Sequence, residues 1–251
     1  MGTSWKENTV AEKFNLYNDV LENALGFQYL MKEIKNSGAK KVLDYGCGPG
    51  KVSLRLAQAN ENIHITAVDE SEEMINIAQK CRGHKSIDYH LISNDSISFI
   101  KDNSVDFAII CFVFINNGNK ERILAILKEI YRVLKKGGTL IILDSNPDAT
   151  GMQFSTFRNG DAGKIYHDGD CKKQYLHIEE MEDLVLEDYY WSKEFYLSNL
   201  SSVGFSEVSI IELNIKDLTD EEREGYEELY HIKKWGDENN VAPFIIFKTN
   251  K

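Results

Sequence analysis

Short apolar runs alternate with amphipathic repeats over the first 145 residues of the chain. The apolar runs, which predict β-strands, lie at 40–44, 63–68, 89–92, 105–113 and 139–143. Between them, apolar residues recur at helical spacing, as at 74–81 and 120–134. Because strands and helices alternate, the pattern predicts an α/β fold on a doubly wound, mostly parallel sheet.

The pattern changes on both sides of this block. Residues 11–34 predict one or two helices, and residues 145–173 are glycine-rich and polar over a length that is usually functional in a compact domain. The remaining elements are predicted at 194–201 (helix), 207–213 (strand), 220–235 (acidic helix) and 242–249 (strand). Pro243 favours an edge or first-residue position for the last strand, because proline has no N–H for a central ladder.

The length of 251 residues and the 42% hydrophobic content suit one well-filled domain. Acids outnumber bases by 40 to 29, and the excess lies in two blocks, 179–194 and 212–238. The rest of the chain is therefore close to neutral. We expect no nucleic-acid partner and no binding to an anionic membrane, since both need a basic surface.

Several further features place the protein among cytoplasmic proteins. No run of about 18 apolar residues predicts a membrane span. Residues 1–12 lack the basic and apolar regions of a secretory signal. Four cysteines without metal-site spacing predict reduced thiols rather than a disulfide framework: Cys47, Cys81, Cys111 and Cys171.

The most specific feature is a glycine cluster after the first predicted strand, Asp44-Tyr45-Gly46-Cys47-Gly48-Pro49-Gly50. Such glycines allow a tight turn and let the backbone approach a ligand closely. A dinucleotide loop would need glycine or alanine where Lys51 stands, and Asp44 would face the pyrophosphate with a like charge. A nicotinamide cofactor is therefore the second choice behind a cofactor that carries an amine.

The cluster resembles motif I of the class I S-adenosylmethionine-dependent methyltransferases. Four further segments are similar to motifs of that family, in the same order: Asp69-Glu70-Ser71-x-x-Met74, Asn94-Asp95-Ser96, Val105-Asp106-Phe107 and 134–140. The resemblance is strong over 38–145 and extends by topology to most of 190–251. It implies a Rossmann-like three-layer sandwich with a seven-stranded, mostly parallel sheet, an antiparallel last strand and lid insertions.

The resemblance also implies a division of the single domain 1–251. Residues 1–36 would form a helical cap, 37–145 the cofactor-binding core, 146–193 an acceptor-lid insertion, and 194–251 the C-terminal helix and strand elements. The implied cofactor is S-adenosyl-L-methionine, and its product is S-adenosyl-L-homocysteine. No metal is expected, because Asp144-Ser145-Asn146 is out of register with the acid–amide pair of metal-dependent members.

The family assigns roles to residues at the ends of the strands. Asp69 would bind both ribose hydroxyls, since one carboxylate accepts two hydrogen bonds. Phe14 and Tyr17 would close over the cofactor or pack in the core, and Cys47 is interpreted as a packing residue. The complete predicted cofactor site is Tyr17, Asp44, Gly46, Cys47, Gly48, Gly50, Asp69, Glu70, Met74, Asn94, Asp95, Ser96, Cys111 and Phe112.

Aromatic residues are dense at 153–170 and at 189–196, where an acceptor lid is expected. Aromatic faces favour a cationic methyl donor and stack on a flat acceptor, although packing of the lid onto the sheet explains them equally well. The predicted catalytic residues are His167 as general base, Tyr166 and Trp191. An exposed histidine is the simpler interpretation of His167.

The predicted function is methyl transfer to the nitrogen, oxygen or carbon of a small molecule. Alternatives are an RNA- or protein-modifying methyltransferase, a nicotinamide-dependent oxidoreductase and a non-catalytic cofactor-binding module. Adenine and amide methylation are disfavoured, because 111–114 read Cys-Phe-Val-Phe rather than an Asn/Asp-Pro-Pro-aromatic motif. The acidic residues beside the lid favour a neutral or cationic acceptor, unless they form a solvated face.

Overall fold

A seven-stranded sheet forms the centre of the computed structural model, which describes residues 16–178 and 181–251. Its strands are β1 (Lys41–Tyr45), β2 (His64–Asp69), β3 (Ile87–Leu91), β4 (Val105–Cys111), β5 (Leu134–Ser145), β9 (Ser206–Ile211) and β10 (Phe244–Asn250). The order is β3-β2-β1-β4-β5-β10-β9. Strand β10 lies between β5 and β9 and is antiparallel to both of them. The predicted fold class is therefore confirmed.

Six helices accompany the sheet in the described residues: α1 (Gln28–Ser37), α2 (Lys51–Ala59), α3 (Glu72–Arg82), α4 (Lys120–Val133), α5 (Lys193–Val203) and α6 (Asp220–Leu229). A helical turn, Val20–Glu22, and a π-helical segment, Asn23–Phe27, lead directly into α1. Residues 11–15 of the predicted first helix, including Phe14, lie outside the described residues.

Successive strand residues point to opposite faces of the sheet and bury both of them. Val42 belongs to the core shared with α1, α2 and α3, whereas the next residue, Leu43, belongs to the core shared with α4 and α5. On β5, Ile141 belongs to the first of these cores and Ile142 to the second. Because both faces are apolar, the strands appear in the sequence as continuous apolar runs.

A second sheet, here called the lid sheet, lies within the predicted insertion. It consists of β6 (Phe157–Asn159), β7 (Cys171–Leu176) and β8 (Leu184–Tyr189), paired antiparallel in that order. A short 3-10 turn, Pro147–Ala149, precedes it. The irregular stretch expected at 145–173 is therefore partly regular. Phe157 anchors the lid sheet by stacking on Phe244, with ring centroids 5.5 Å apart.

Two predictions at the C-terminus need correction. The last strand is an interior strand, so the edge position suggested by Pro243 is wrong, and the proline stands just before its first residue, Phe244. The acidic helix ends at Leu229 instead of continuing to 235. His231 adopts a left-handed conformation with φ 56°, and the N–H of Ile232 donates to the carbonyl of Glu227, which closes the last turn.

Within the described residues, no helix combines the length and the apolar character needed to cross a membrane.

The left-handed conformation of His231 predicts a measurable effect on stability. We expect His231→Gly to raise the free energy of unfolding by about 0.5–1 kcal/mol, because glycine adopts positive φ without a steric penalty. His231→Val should lower it, since a β-branched residue is strained there. Urea unfolding measures both changes, and equal effects of glycine and valine would contradict the assigned helix end.

Candidate functional site

A cavity of about 480 Å³ opens at the carboxyl ends of β1, β2 and β4. The order of the sheet reverses at β1, because β1 pairs with β2 on one side and with β4 on the other. Crevices at such a reversal are the usual ligand sites of open α/β sheets. Here the lid sheet contributes a further wall through Leu176, Leu186 and Asp188.

The glycine loop, residues 46–50, forms one side of the cavity. Its first two N–H groups, those of Gly46 and Cys47, donate to the carbonyl of Val68 at 2.8 and 3.0 Å. Only glycine fits at position 46, because φ is 75° and a Cβ would lie 2.3 Å from a methyl carbon of Val113. A Cβ at Gly48 would meet no protein atom within 4 Å. Gly48 therefore leaves room for a ligand to approach the backbone.

Asp69 stands at the end of β2 and faces the same loop. Its two carboxylate oxygens accept hydrogen bonds from the N–H groups of Gly48 and Ser71, both at 2.8 Å. These bonds fix the carboxylate and leave each oxygen with a further lone pair. Burial raises the pKa of Asp69 above its ordinary value. Its geometry fits the vicinal diol that the sequence analysis assigns to it.

Asp44 lies beneath the glycine loop and is buried. The hydroxyl of Ser53, on α2, donates to its carboxylate at 2.5 Å. Burial raises the pKa of Asp44 to about 7, and the nearby charge of Asp69 acts in the same direction. The carboxyl group therefore titrates close to neutrality, and a bound cation would favour its ionised form.

Arg122 closes the far end of the cavity. It follows Asn119, whose side chain caps α4 by accepting from the Arg122 N–H at 3.0 Å. The guanidinium donates to both oxygens of Asp95, at 2.6 and 2.7 Å, and to Glu70 at 2.5 Å. A planar fork of this kind is a strong and directional contact. Arg122 is not among the predicted site residues, because nothing in the local pattern of α4 shows which side chain reaches the loop after β3.

Phe112 follows β4 and holds a strained backbone conformation with φ 56°. Positive φ in a bulky residue is costly and is typically found at functional sites. Its N–H donates to the carbonyl of Leu143 at 2.8 Å, and its carbonyl accepts from the Asn116 side chain at 2.6 Å. The ring packs edge-on against Phe27 and Phe244. The surrounding structure therefore fixes an aromatic wall of the cavity.

The structure brings eleven of the fourteen predicted cofactor residues together around the cavity: Tyr17, Asp44, Gly46, Cys47, Gly48, Asp69, Glu70, Met74, Asp95, Cys111 and Phe112. The other three, Gly50, Asn94 and Ser96, do not line it. Gly50 instead begins α2 in a left-handed conformation, where a Cβ would lie 2.5 Å from the hydroxyl of Tyr89. Close packing against Tyr89 thus explains why residue 50 is a glycine.

The three residues predicted to be catalytic lie outside the cavity lining, and their catalytic role stays a prediction. Trp191 is buried, donates from Nε1 to the carbonyl of Phe114 at 2.9 Å and stacks on Phe195. Tyr166 is buried and its hydroxyl is bonded to Asp161, whereas His167 is exposed. None of the three lines the cavity. The aromatic run attaches the lid to α5, which is the packing interpretation of that cluster.

Polar residues that the sequence analysis did not single out complete the cavity: Glu22, Asn117, Gln174 and Asp188. Glu22 belongs to the helical turn before α1, and Gln174 and Asp188 belong to the lid sheet. Alternation on β8 was an available signal, because Leu184, Leu186 and Asp188 are buried while the residues between them are exposed. The charge of Asp188 obscures this alternation in the sequence, because an acid is not expected at a buried position.

Comparison with known proteins identifies relatives. The family described as "Methyltransferase domain" matches residues 42–138. N-demethylindolmycin N-methyltransferase of Streptomyces griseus is 29% identical over 216 residues, which cover 84% of this chain and 90% of that protein. Demethylmenaquinone methyltransferase of Leptospira interrogans is 34% identical over 145 residues, which cover 55% of this chain and 57% of that protein.

Solved structures share the fold. A crystal structure described as a putative S-adenosylmethionine-dependent methyltransferase from Listeria monocytogenes superposes with a TM-score of 0.58. The two proteins are 19% identical, and the superposition covers 90% of this chain and 98% of the other.

The raised pKa of Asp44 predicts a pH-dependent stability. A carboxyl group with a raised pKa in the folded state stabilises the protein below its unfolded pKa, and this contribution is lost as pH rises through about 7. As pH rises from 5 to 7, the free energy of unfolding should therefore fall less for Asp44→Asn than for wild type. The difference is up to about 1.4 kcal/mol per pH unit.

Thermal unfolding of the ligand-free protein across that pH range measures the difference. Glu22 and Asp144, whose pKa values burial also raises, keep part of the dependence in both proteins. Asp106→Asn is the control, because its neighbour Lys135 and two backbone N–H groups lower the pKa of Asp106. A variant Asp44→Asn that follows the wild-type profile would show that Asp44 is ionised throughout.

Proposed function

The chain belongs to the class I S-adenosylmethionine-dependent methyltransferases, and on this premise we propose that it methylates a small molecule enclosed between the glycine loop and the lid sheet. The observation that carries the proposal is one shared cavity. Asp69 and the glycine loop line one part of it, and Leu176, Leu186 and Asp188 of the lid sheet line another. A methyl donor and its acceptor would therefore meet in the same enclosed space.

The part of the cavity beside the glycine loop fits the cofactor. Asp69 would receive the ribose hydroxyls, and Gly48 leaves its backbone accessible. Seven acids line the cavity against two bases, Lys51 and Arg122, which suits a ligand with a positively charged sulfur and an amino group. When bound, S-adenosylmethionine would supply an electrophilic methyl group: an acceptor nucleophile in line with the carbon–sulfur bond would bond to the methyl carbon as that bond breaks and S-adenosylhomocysteine leaves.

The protein contributes mainly alignment and exclusion of water to such a displacement. Phe112 is held rigidly by its backbone bonds and by two aromatic neighbours, so it can orient ligands without moving. The lid sheet covers the cavity with Leu176 and Leu186, which shield the reacting atoms from solvent. We assign no general base to His167, Tyr166 or Trp191.

Three observations support a small acceptor over a macromolecule. The cavity has the size typical of small-ligand sites. Its lining is acidic, which opposes an RNA backbone. The two relatives carry names that refer to N-demethylindolmycin and demethylmenaquinone, both small molecules. We place the reaction in the cytoplasm, on the basis of four free cysteine thiols.

The ribose contact of Asp69 is directly testable. We expect Asp69→Ala to weaken the binding of S-adenosylhomocysteine at least about tenfold, because hydrogen bonds to a charged acceptor contribute about 1.5–3 kcal/mol each. Isothermal titration calorimetry of both proteins measures the change. NADH, titrated in parallel, should show no binding.

The matched control is Asp88→Ala, which removes an exposed carboxylate paired with His64 on the neighbouring strand. It should bind S-adenosylhomocysteine as wild type does. Binding of NADH without binding of S-adenosylhomocysteine would overturn the cofactor assignment. Unchanged affinity in Asp69→Ala would place the ribose elsewhere.

A further inference from the structure

Asp188 is a buried acid in the wall of the cavity. It lies on β8 with 1% of its surface exposed, and it lines the cavity. Across residues 16–178 and 181–251, no group donates a hydrogen bond to either of its carboxylate oxygens. Its neighbour Glu187 points to the opposite, exposed face of the lid sheet. Burying an unsatisfied carboxylate is expensive, so its position calls for a ligand.

Two more side chains around the same cavity have a buried polar atom without a hydrogen-bond partner among the described residues. Glu22 is 8% exposed, and its Oε1 accepts from the Tyr17 hydroxyl at 2.9 Å while Oε2 has no partner. Asn117 is also 8% exposed, and its Oδ1 accepts from the N–H of Asn119, which leaves Nδ2 without a partner. Two carboxyl groups and one amide N–H₂ group are thus available for hydrogen bonds.

The other five acids of the cavity have hydrogen-bond or ion-pair partners among the described residues, and none of them has a buried oxygen left without one. Asp44 accepts from Ser53, and Asp69 accepts from two backbone N–H groups. Asp95 and Glu70 both accept from Arg122. Asp19 pairs with Lys51 and Arg55. Asp188 and Glu22 remain, and both lie outside the glycine loop, on the lid sheet and on the helical turn before α1.

The surroundings of Asp188 hold one opposite charge and one like charge. Lys172 is its register partner on β7 and is itself buried. Burial raises the pKa of Asp188 to about 7; the positive charge of Lys172 opposes this rise, and the negative charge of Asp144 on β5 adds to it. Asp188 therefore keeps a cation nearby while both of its oxygens stay available to a ligand.

We propose that Asp188 binds a protonated or N–H-bearing nitrogen of the methyl acceptor, so that the acceptor is an amine on an apolar body. Asn117 would donate to an oxygen of the same molecule, and Leu176 and Leu186 would pack against its apolar part. Carboxylates prefer such donors, because charge-assisted hydrogen bonds are stronger than neutral ones. The identification as an acceptor site rests on the proposed function, whereas the amine preference rests on Asp188 itself.

Three matched probes test the preference: benzylamine, benzyl alcohol and benzoate. Calorimetry on wild-type protein saturated with S-adenosylhomocysteine should show benzylamine binding at least about tenfold more tightly than benzyl alcohol. Benzoate should bind most weakly, since it would place a second carboxylate beside Asp188 and offers it no N–H donor. Equal binding of the three probes would overturn the proposal, and this comparison needs no variant.

Asp188→Asn keeps the shape of the side chain and removes its charge. We expect it to abolish the preference for benzylamine while the affinity for S-adenosylhomocysteine stays within about twofold. Asp188→Glu, which keeps the charge, should retain the preference at lower affinity. Glu187→Gln, on the exposed face of the same strand, is the control and should behave as wild type. A preference for benzylamine that survives in Asp188→Asn would contradict the assignment.

The two hypotheses fail separately. If S-adenosylhomocysteine does not bind wild-type protein, the proposed function fails, and the probes are then titrated into the ligand-free protein. A benzylamine preference that depends on Asp188 under those conditions would still support an amine site. If S-adenosylhomocysteine binds but the probes are not distinguished, the methyltransferase assignment stands and the amine acceptor is wrong.

Discussion

The hydrogen bonds between the glycine loop and the end of β2 hold the site together. Gly46 and Cys47 donate to Val68, and Gly48 donates to Asp69, so one loop is joined to the neighbouring strand at three consecutive residues. These bonds orient the Asp69 carboxylate and leave the backbone of Gly48 open. Residue 46 cannot gain even a methyl group without meeting Val113. The donor side of the cavity is therefore built by backbone geometry more than by side chains.

The effect of an acidic residue in this protein depends on whether its side chain is buried or exposed. The overall excess of acids lies in two C-terminal blocks, which at the level of composition resemble solvated surface. That interpretation suits α6, which buries none of its residues, and Glu187 on the exposed face of the lid sheet. It does not suit Asp188, from the same block as Glu187, which is enclosed in the cavity. Net charge cannot distinguish these cases, because it carries no information on solvent exposure.

The lid segment both attaches to the core and lines the cavity, and different residues do each. Trp191, just after β8, bonds to Phe114 and stacks on α5, and so attaches the lid to the core. Leu186 and Asp188, alternating along β8, face the cavity. Burying Asp188 and Lys172 opposite each other costs desolvation free energy that apolar residues would avoid. Such a local conflict is expected at a binding site rather than in a structural core.

The sequence by itself determined the alternation of strands and helices, the glycine loop and the place of Asp69. These follow from local rules, since apolar periodicity, positive φ at glycine and the end of a strand are properties of neighbouring residues. Only the tertiary structure decided that Glu22, Asn117, Arg122 and Asp188 meet around one cavity. They come from three separate parts of the chain, and long-range packing alone sets which buried side chain reaches a partner and which is left for a ligand. Trp191 and His167 are the opposite case: the sequence predicts them at the site, but neither lines the cavity. A cluster of aromatic residues in the sequence does not reveal which side chains point towards a site.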